Sequence, residues 1–366
     1  MLVGVVGLVV AFLVKATDAR SAAGQDWSPF VLVAGLLLIG MVANEDGLFA
    51  AAGNQLARIS SSGVVLFLGA ALLIGVVTAV LNLDTSVAFL TPVLVYTARR
   101  HGRGEAPLLY GCVLLSNAGS LFLPGSNLTN LIVLGHERMS GATFFSDMWP
   151  SALAALVVTA VVIAIVERRE FSVGDNEPEQ VQHVTYGLGL VAVAAATLLV
   201  LLLATPALWV FGVGVVVVGV RAARRTIQSR DVVQGIGVPL LVGLFGVAVA
   251  LGTLGRLWSG PSVMLAHLDT WATAGVAGVI AVAVNNLPAA SLLAARSPAH
   301  PFALLIGLNL GPNLFVTGSL AWMLWLRAAR AAGAQPSIAR ACRIAVIAVP
   351  LAMAAALAVL SAKGLS

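Results

Sequence analysis

Blocks of apolar residues, each nearly free of charge, follow one another along the whole chain and are separated by short polar or Gly/Pro-containing breaks. They predict helices at 1–14, 29–43, 63–81, 86–98, 106–120, 149–166, 186–204, 207–221, 234–254, 271–284, 288–295, 302–310, 318–327 and 344–361. A bilayer-spanning helix needs about 20 apolar residues, so some blocks span alone and others fall short. The pattern is that of an all-α polytopic membrane protein lying in a lipid bilayer. One long polar stretch interrupts it, "ERREFSVGDNEPEQVQH" from Glu167 to His183, whose charge and Pro content mark a linker. A single transmembrane domain, 1–366, is therefore expected to divide into a first repeat at 1–166, a cytoplasmic linker at 167–185 and a second repeat at 186–366.

The short blocks pair across that linker. "NLDTSVAFL" from Asn82 and "NNLPAASLL" from Asn285 each place an Asn-bearing polar break inside an apolar hairpin. "NAGS" from Asn117 matches "NLGP" from Asn309, and Gly125-Ser126 matches Gly318-Ser319, in the same order and at nearly constant separation. Interrupted hydrophobic segments at corresponding places in two halves point to the binding site of a secondary transporter. The expected fold is an inverted repeat with two re-entrant hairpins, tipped at Asn82 and Asn285, and two broken transmembrane helices, "SNAGSLFLPGSNLTN" and "NLGPNLFVTGSLA".

Composition agrees: 60% of the 366 residues are hydrophobic and 10% charged, with a mean hydropathy of +1.01, well beyond soluble domains. If both hairpins enter and leave on one side, fourteen of the 20 basic residues, among them Arg58, Arg99, Arg221, Arg327 and Arg340, share one face. The positive-inside rule makes that face cytoplasmic and puts the N-terminus there. The first hairpin then enters from the cytoplasm and the second from outside. The helix at 186–204 is the crossing that inverts the second repeat, and the first repeat reads as lacking its counterpart. The apolar N-terminus has no basic residue ahead of it and reads as a retained helix, not a signal peptide. The net charge of +5 belongs to loop arginines, not to a nucleic-acid surface.

Asp84 is the most informative residue, because a carboxylate at membrane depth costs roughly 2.5–3.5 kcal/mol on insertion scales. It can accept a coupling proton or bind a cation or hydroxyl-rich substrate; it can also cap the helix that starts near Thr85. Non-helical backbone at that depth survives only where protein buries it or it lines a wet cavity. The broken segments therefore outline a polar, nearly uncharged cavity, with substrate-binding candidates Asn82, Thr85, Asn117, Ser126, Asn127, Asn130, Asn285, Asn286, Asn309, Asn313, Thr317 and Ser319, and with Thr129 beside them. Asn309, Asn313 and Ser319 are expected to meet Asn82, Asp84 and Ser126 near the midplane. Cys112 and Cys342 read as small core residues, Glu45 and Asp46 as interfacial, and Trp149, Trp209, Trp258 and Trp271 as an interface belt. No metal-ligand spacing, phosphate-binding loop or nucleophile–base set is discernible, so no metal, cofactor or catalytic residue is assigned and an enzyme is not expected.

"NLGPNLFVTGSLAWMLW" (Asn309 to Trp325), "VNNLPAA" (Val284 to Ala290), "LNLDTSVAFLTPV" (Leu81 to Val93) and "SNLTN" (Ser126 to Asn130) resemble the arsenite efflux permeases of the arsenical pump membrane protein type. That family belongs to the ion transporter superfamily, with the sodium-coupled dicarboxylate symporters. The resemblance covers about residues 28–361 and implies an inverted-repeat transporter exporting arsenite or antimonite from a bacterium across its inner membrane. Carried over, the hairpin tips fall on Asn82 to Thr85 and Asn285 to Pro288, and the unwound segments on Pro124 to Asn130 and Asn309 to Ser319. Trp322 departs from the family, which more often has Thr there, and the dicarboxylate symporters' Ser-Asn-Thr tip is not reproduced. The leading expectation is export of the uncharged trihydroxide by proton exchange through Asp84. The alternatives are a sodium- or proton-coupled carrier of another small anion, and the membrane subunit of an ATPase-driven arsenite pump.

Overall fold

The computed structural model describes residues 1–60, 62–136, 139–171, 187–224, 232 and 237–365, and among them every long regular element is an α-helix. The first half comprises α1 (Leu2–Glu45), α2 (Leu48–Ile59), α3 (Gly63–Val80), α4 (Leu83–Arg100), α5 (Ala106–Gly119), α6 (Leu128–Val133) and α7 (Gly141–Val166). The second comprises α8 (Leu188–Leu202), α9 (Ala207–Ala223), α10 (Val238–Leu257), α11 (Gly260–Ala266), α12 (Thr270–Val284), α13 (Asn286–Leu293), α14 (Pro301–Leu310), α15 (Leu320–Ala331) and α16 (Ile338–Ala362). By length and composition α1, α3, α7, α10 and α16 can each cross a bilayer. Of the expected linker, 168–171 forms a short 3-10 turn, and 172–185 lies outside the described residues.

Several boundaries differ from the sequence expectation. The blocks at 1–14 and 29–43 both fall in α1, which is two helices meeting at Lys15, whose φ of −156° and ψ of 92° are not helical, so the second helix begins well before 29. Its two arms pack as separate rods on α10. Gly4 lies against Gly243 and Gly7 against Gly246 and Ala250, running with α10, whereas Ala22 meets Gly252 and Phe30 meets Phe245, running against it. Helix α7 starts at Gly141 rather than 149, capped by Ser140, whose Oγ accepts from the Thr143 amide at 3.1 Å, and Pro150 sits inside it. Helices α2, α6 and α11 are additional; two of them have only six and seven residues, too short for a periodic apolar pattern to stand out.

Small residues let the helices touch. A Cβ added at Gly307 of α14 would sit 2.2 Å from the Ala274 carbonyl of α12, so these backbones are in contact, as membrane helix interfaces favour. Asp46, expected at an interface, does close α1, but it is buried: it pairs with Arg221 at the end of α9 and accepts from the Gly189 amide of α8 at 2.6 Å. The four expected belt tryptophans, Trp149, Trp209, Trp258 and Trp271, are exposed, whereas Trp322 and Trp325 are fully buried.

The two halves interlock alike. Hairpin arm α3 packs on α5, and α12 on α14, within their own halves; α4 packs on α15 and α13 on α6, across the halves. Arg99, in the last turn of α4, donates to the Ala332 and Gly333 carbonyls just past α15, both at 2.9 Å, so α4 and α15 run parallel. The Gln25 amide donates to Ile132 in α6 at 3.0 Å and to Ala294, the C-cap of α13, at 3.1 Å, so that pair is parallel too. Each half thus contributes one hairpin arm and one broken-helix arm to a parallel pair with the other half.

Candidate functional site

Four helices begin where the breaks lie, and each has Asn or Ser at its N-cap. Asn82 caps α4, its Oδ1 accepting from the Thr85 amide at 2.7 Å; Asn127 caps α6, accepting from Thr129 at 3.1 Å. Asn285 caps α13, accepting from Leu287 at 3.3 Å, and Ser319 stands before α15 with no cap bond of its own. Helix starts present free amides and a partial positive charge. Asn285 is the only described non-Gly residue with positive φ, 80°, and its ψ of 148° lies outside the left-handed helical region, a strained conformation that otherwise falls to Gly. Its Nδ2 donates to the Thr317 carbonyl at 3.1 Å, and the Asn286 amide donates to the Gly318 carbonyl at 2.8 Å. The second hairpin tip therefore sits against the start of α15. Thr317 itself is exposed and donates to Val282 O at 2.8 Å.

Helix register brings the first tip to the same place. From Arg99 back to Asp84, and from Ala332 back to Ser319, is roughly 20 Å along two parallel axes at about 1.5 Å per residue. Asp84 also shares a helical face with Thr91 and Val95, two and three turns further along, and both are fully buried. That face looks into the protein, yet Asp84 is half-buried rather than sealed, and among the described residues it makes no hydrogen bond or ion pair. Asn82 Nδ2, Thr85 Oγ1 and Ser319 Oγ, at or next to helix starts, are buried without partners, as are Thr78 Oγ1, Asn117 Oδ1 and Thr129 Oγ1. Buried polar atoms are nearly always paired, so these open donors and acceptors stand out. No Lys or Arg occurs in 82–86, 117–130, 285–291 or 309–319.

The remaining predicted residues form a bonded wall. Asn309 Oδ1 accepts from Ser120 Oγ at 2.7 Å and from Asn127 Nδ2 at 2.5 Å, while its Nδ2 donates to Asn130 Oδ1 at 2.7 Å and to Leu305 O at 2.8 Å. Asn313 Oδ1 accepts from Asn117 Nδ2 at 2.8 Å, and its Nδ2 donates to Leu114 O at 3.0 Å. Asn130 Nδ2 ties the break together through the Ser120 and Leu123 carbonyls, at 2.7 and 3.2 Å. Ser126 turns inward on its own segment, bonding the Leu123 amide at 2.9 Å and the Leu123 carbonyl. Asn309, near the end of α14, and Asn313, in the short turn after it, bond Asn117, Ser120, Asn127 and Asn130 of the first broken segment, which also holds Ser126; no hydrogen bond joins them to Asn82 or Asp84 among the described residues.

Sequence reasoning missed Ser86, Ser116, Ser120 and Thr78. Ser86 Oγ lies 3.3 Å from Ser116 Oγ, joining the first hairpin to α5. Ser116 and Ser120 flank Asn117 in "SNAGS", and that flanking was the available signal. Trp322 donates to the Pro312 carbonyl at 2.9 Å and Trp325 to the Leu109 carbonyl at 2.8 Å, so both fully buried indole N–H groups are satisfied.

Comparison with known proteins bears on this site. The family model described as "Citrate transporter", CitMHS, matches residues 1–326. The inner membrane protein YbiR of Escherichia coli K12 is 26% identical over 336 residues, covering 88% of this chain and 86% of that protein. An arsenical pump membrane protein of Escherichia coli is 25% identical over 346 residues, covering 82% and 78%. Among solved structures, the YdaH transporter of Alcanivorax borkumensis superposes with a TM-score of 0.55 at 16% identity, covering 93% of this chain and 86% of that one; it shares the fold. With a family model spanning most of its length and relatives named as membrane proteins along nearly all of it, the chain belongs to the CitMHS citrate transporter family of membrane transporters.

Proposed function

We propose that this protein is a secondary transporter that exports arsenite or antimonite across a bacterial inner membrane in exchange for protons. The observation that carries the reading is Asp84, a half-buried carboxylate whose side chain has no hydrogen bond or ion pair among the described residues, with no cationic side chain in the Asn-bearing segments and with Asn82 Nδ2, Thr85 Oγ1 and Ser319 Oγ likewise without partners. An uncharged trihydroxide offers three O–H donors and three acceptor oxygens. The carboxylate accepts from it, and the Asn82 amide and helix-start amides donate to it. Proton and substrate compete for Asp84: protonation weakens its hold on the hydroxyls, and substrate binding favours the charged form. The amide wall of Asn117, Asn130, Asn309 and Asn313 holds the two breaks in register, and Asn285, Asn286 and Thr317 fix the second tip. The similarity to arsenical pump membrane proteins supports this substrate class.

Expression in a host that lacks its own exporter tests the reading, with growth in arsenite and antimonite as the readout. A host that carries the protein in its membrane and is no more resistant than the empty host would remove it. Resistance that requires a partner ATPase and ignores a collapsed proton gradient would assign the protein to an ATPase-driven pump instead.

One observation favours a second reading, a sodium- or proton-coupled carrier of a small carboxylate anion: the helix starts at Asn285 and Ser319 lie against each other, where a negative charge is stabilised, and the family description names citrate. Thermal protection of the purified protein by citrate with sodium, and none by antimonite, would select it.

A further inference from the structure

A second carboxylate, Asp26, is buried away from both hairpin tips. It is 2% exposed and lies on α1 between Ala22, which packs on Gly252, and Phe30, which packs on Phe245. Among the described residues it makes no hydrogen bond or ion pair. Its neighbour Gln25 is the side chain that joins the C-terminal ends of α6 and α13. Arg256 of α10 donates to Gln25 Oε1 at 2.6 Å and to the Gly252 carbonyl at 2.8 Å, so Gln25 is held in that clamping position by a cation. A cavity of about 490 Å³ opens directly beside the clamp, lined among others by Gln25, Ser28, Leu131 and Gly135, and it reaches Pro124 and Gly125 of the first break.

We propose that Asp26 is a proton-binding residue that sets this clamp. With Asp26 neutral, Arg256 stays on Gln25, and the amide holds α6 and α13 together, as in the structure described above. With Asp26 ionised, the buried carboxylate draws the Arg256 guanidinium to itself, since an unpaired charge at that depth is costly. Gln25 then loses its anchor and the ends of α6 and α13 separate beside the cavity. Among the described residues Arg256 is the charged group that acts on Asp26, and Arg296 and Asp18 in turn act on Arg256. Arg256 comes from α10, and Arg296, whose guanidinium donates to the Arg256 carbonyl at 2.8 Å, from the segment after α13. Asp18 lies on α1 itself and is paired with Lys15 at 3.0 Å. The proton arrives from water at the cavity mouth, and the device works whatever the substrate is.

The test follows opening without any substrate. Leu131→Cys, placed in a Cys112→Ala, Cys342→Ala background of the full chain, reports the cavity through its rate of labelling by a water-soluble maleimide, corrected for the intrinsic pH dependence of a free thiol. Labelling is expected to rise at least about fivefold from about pH 5.5 to about pH 8.5, as Asp26 ionises and the clamp opens. Adding Asp26→Asn, nearly the same shape, is expected to keep labelling low and flat with pH. Adding Gln25→Ala instead is expected to give high labelling at every pH. An Asp26→Asn variant with the parental pH profile overturns the proposal, and so does a Gln25→Ala variant that labels as slowly at low pH as its parent. Cooperative melting of both variants, checked by size-exclusion fluorescence after heating, separates a lost clamp from a lost fold.

Discussion

Replacing Asn309 with Ala removes the centre of the amide wall, and the structure sets the size of the effect. All four hydrogen-bonding positions of the Asn309 amide are in use, three of them to Ser120, Asn127 and Asn130 of the other half. Ser120 keeps a second acceptor, the Asn117 carbonyl at 2.7 Å, so the variant orphans two groups, Asn127 Nδ2 and Asn130 Oδ1, both buried. Each buried, unsatisfied group costs about 1–3 kcal/mol. Interhelix bonds in membrane proteins average only about 0.6 kcal/mol, because the unfolded chain in the membrane also finds partners. Together these bracket a loss of about 2–6 kcal/mol. Melting in detergent can be followed with a thiol-reactive dye on Cys112, which is fully buried, after Cys342→Ala removes the part-exposed thiol. A drop of about 5 °C or more is expected at roughly 2–4 °C per kcal/mol. A midpoint within about 2 °C of the parent would refute the view that this network braces the two halves.

Asp84→Asn should leave that melting midpoint nearly unchanged, since the carboxylate has no described partner to lose, yet abolish proton-dependent antimonite uptake into inverted vesicles; full, proton-dependent uptake would exclude Asp84 from coupling. Arg340 binds both Glu167 and Glu170 across the two halves, and the Glu167 side chain is only 1% exposed. Arg340→Ala, which strands that buried charge, should cost about 1–3 kcal/mol, discounted because Arg340 is itself part-exposed, and adding Glu167→Gln should recover most of the loss of melting temperature. At the second hairpin tip, Asn285→Gly should melt close to the parent and Asn285→Ala about 1–2 kcal/mol lower, because Ala loses the cap and strains at a φ of 80° while Gly loses only the cap; equal midpoints would mean that the turn is not what Asn285 supplies.

The fold was largely legible in the chain. Apolar blocks placed most helices within a turn or so, and the paired Asn breaks located both hairpin tips and both broken helices, because lipid tolerates open backbone only where protein surrounds it. What escaped were elements too short for periodicity, such as α6, and the polar stretch 16–28, which carries the second arm of α1 back to the break at Lys15. The site divided in the same way. That Asn, Ser and Thr at the breaks matter could be read from their depth in apolar sequence, but an Asn that braces and an Asn that waits for a ligand carry the same letter.

By itself, then, the sequence determined the class of molecule and the polar positions within its apolar blocks, because hydropathy and helix-breaking residues act locally and leave a local trace. Only the tertiary structure decided partners. Asn309 spends its amide on the first broken helix, whereas Asp84, Asn82 Nδ2, Thr85 Oγ1 and Ser319 Oγ are left open. That outcome depends on α4 running parallel to α15 and α6 to α13. Those pairings join residues more than 150 positions apart, a distance at which no local propensity acts.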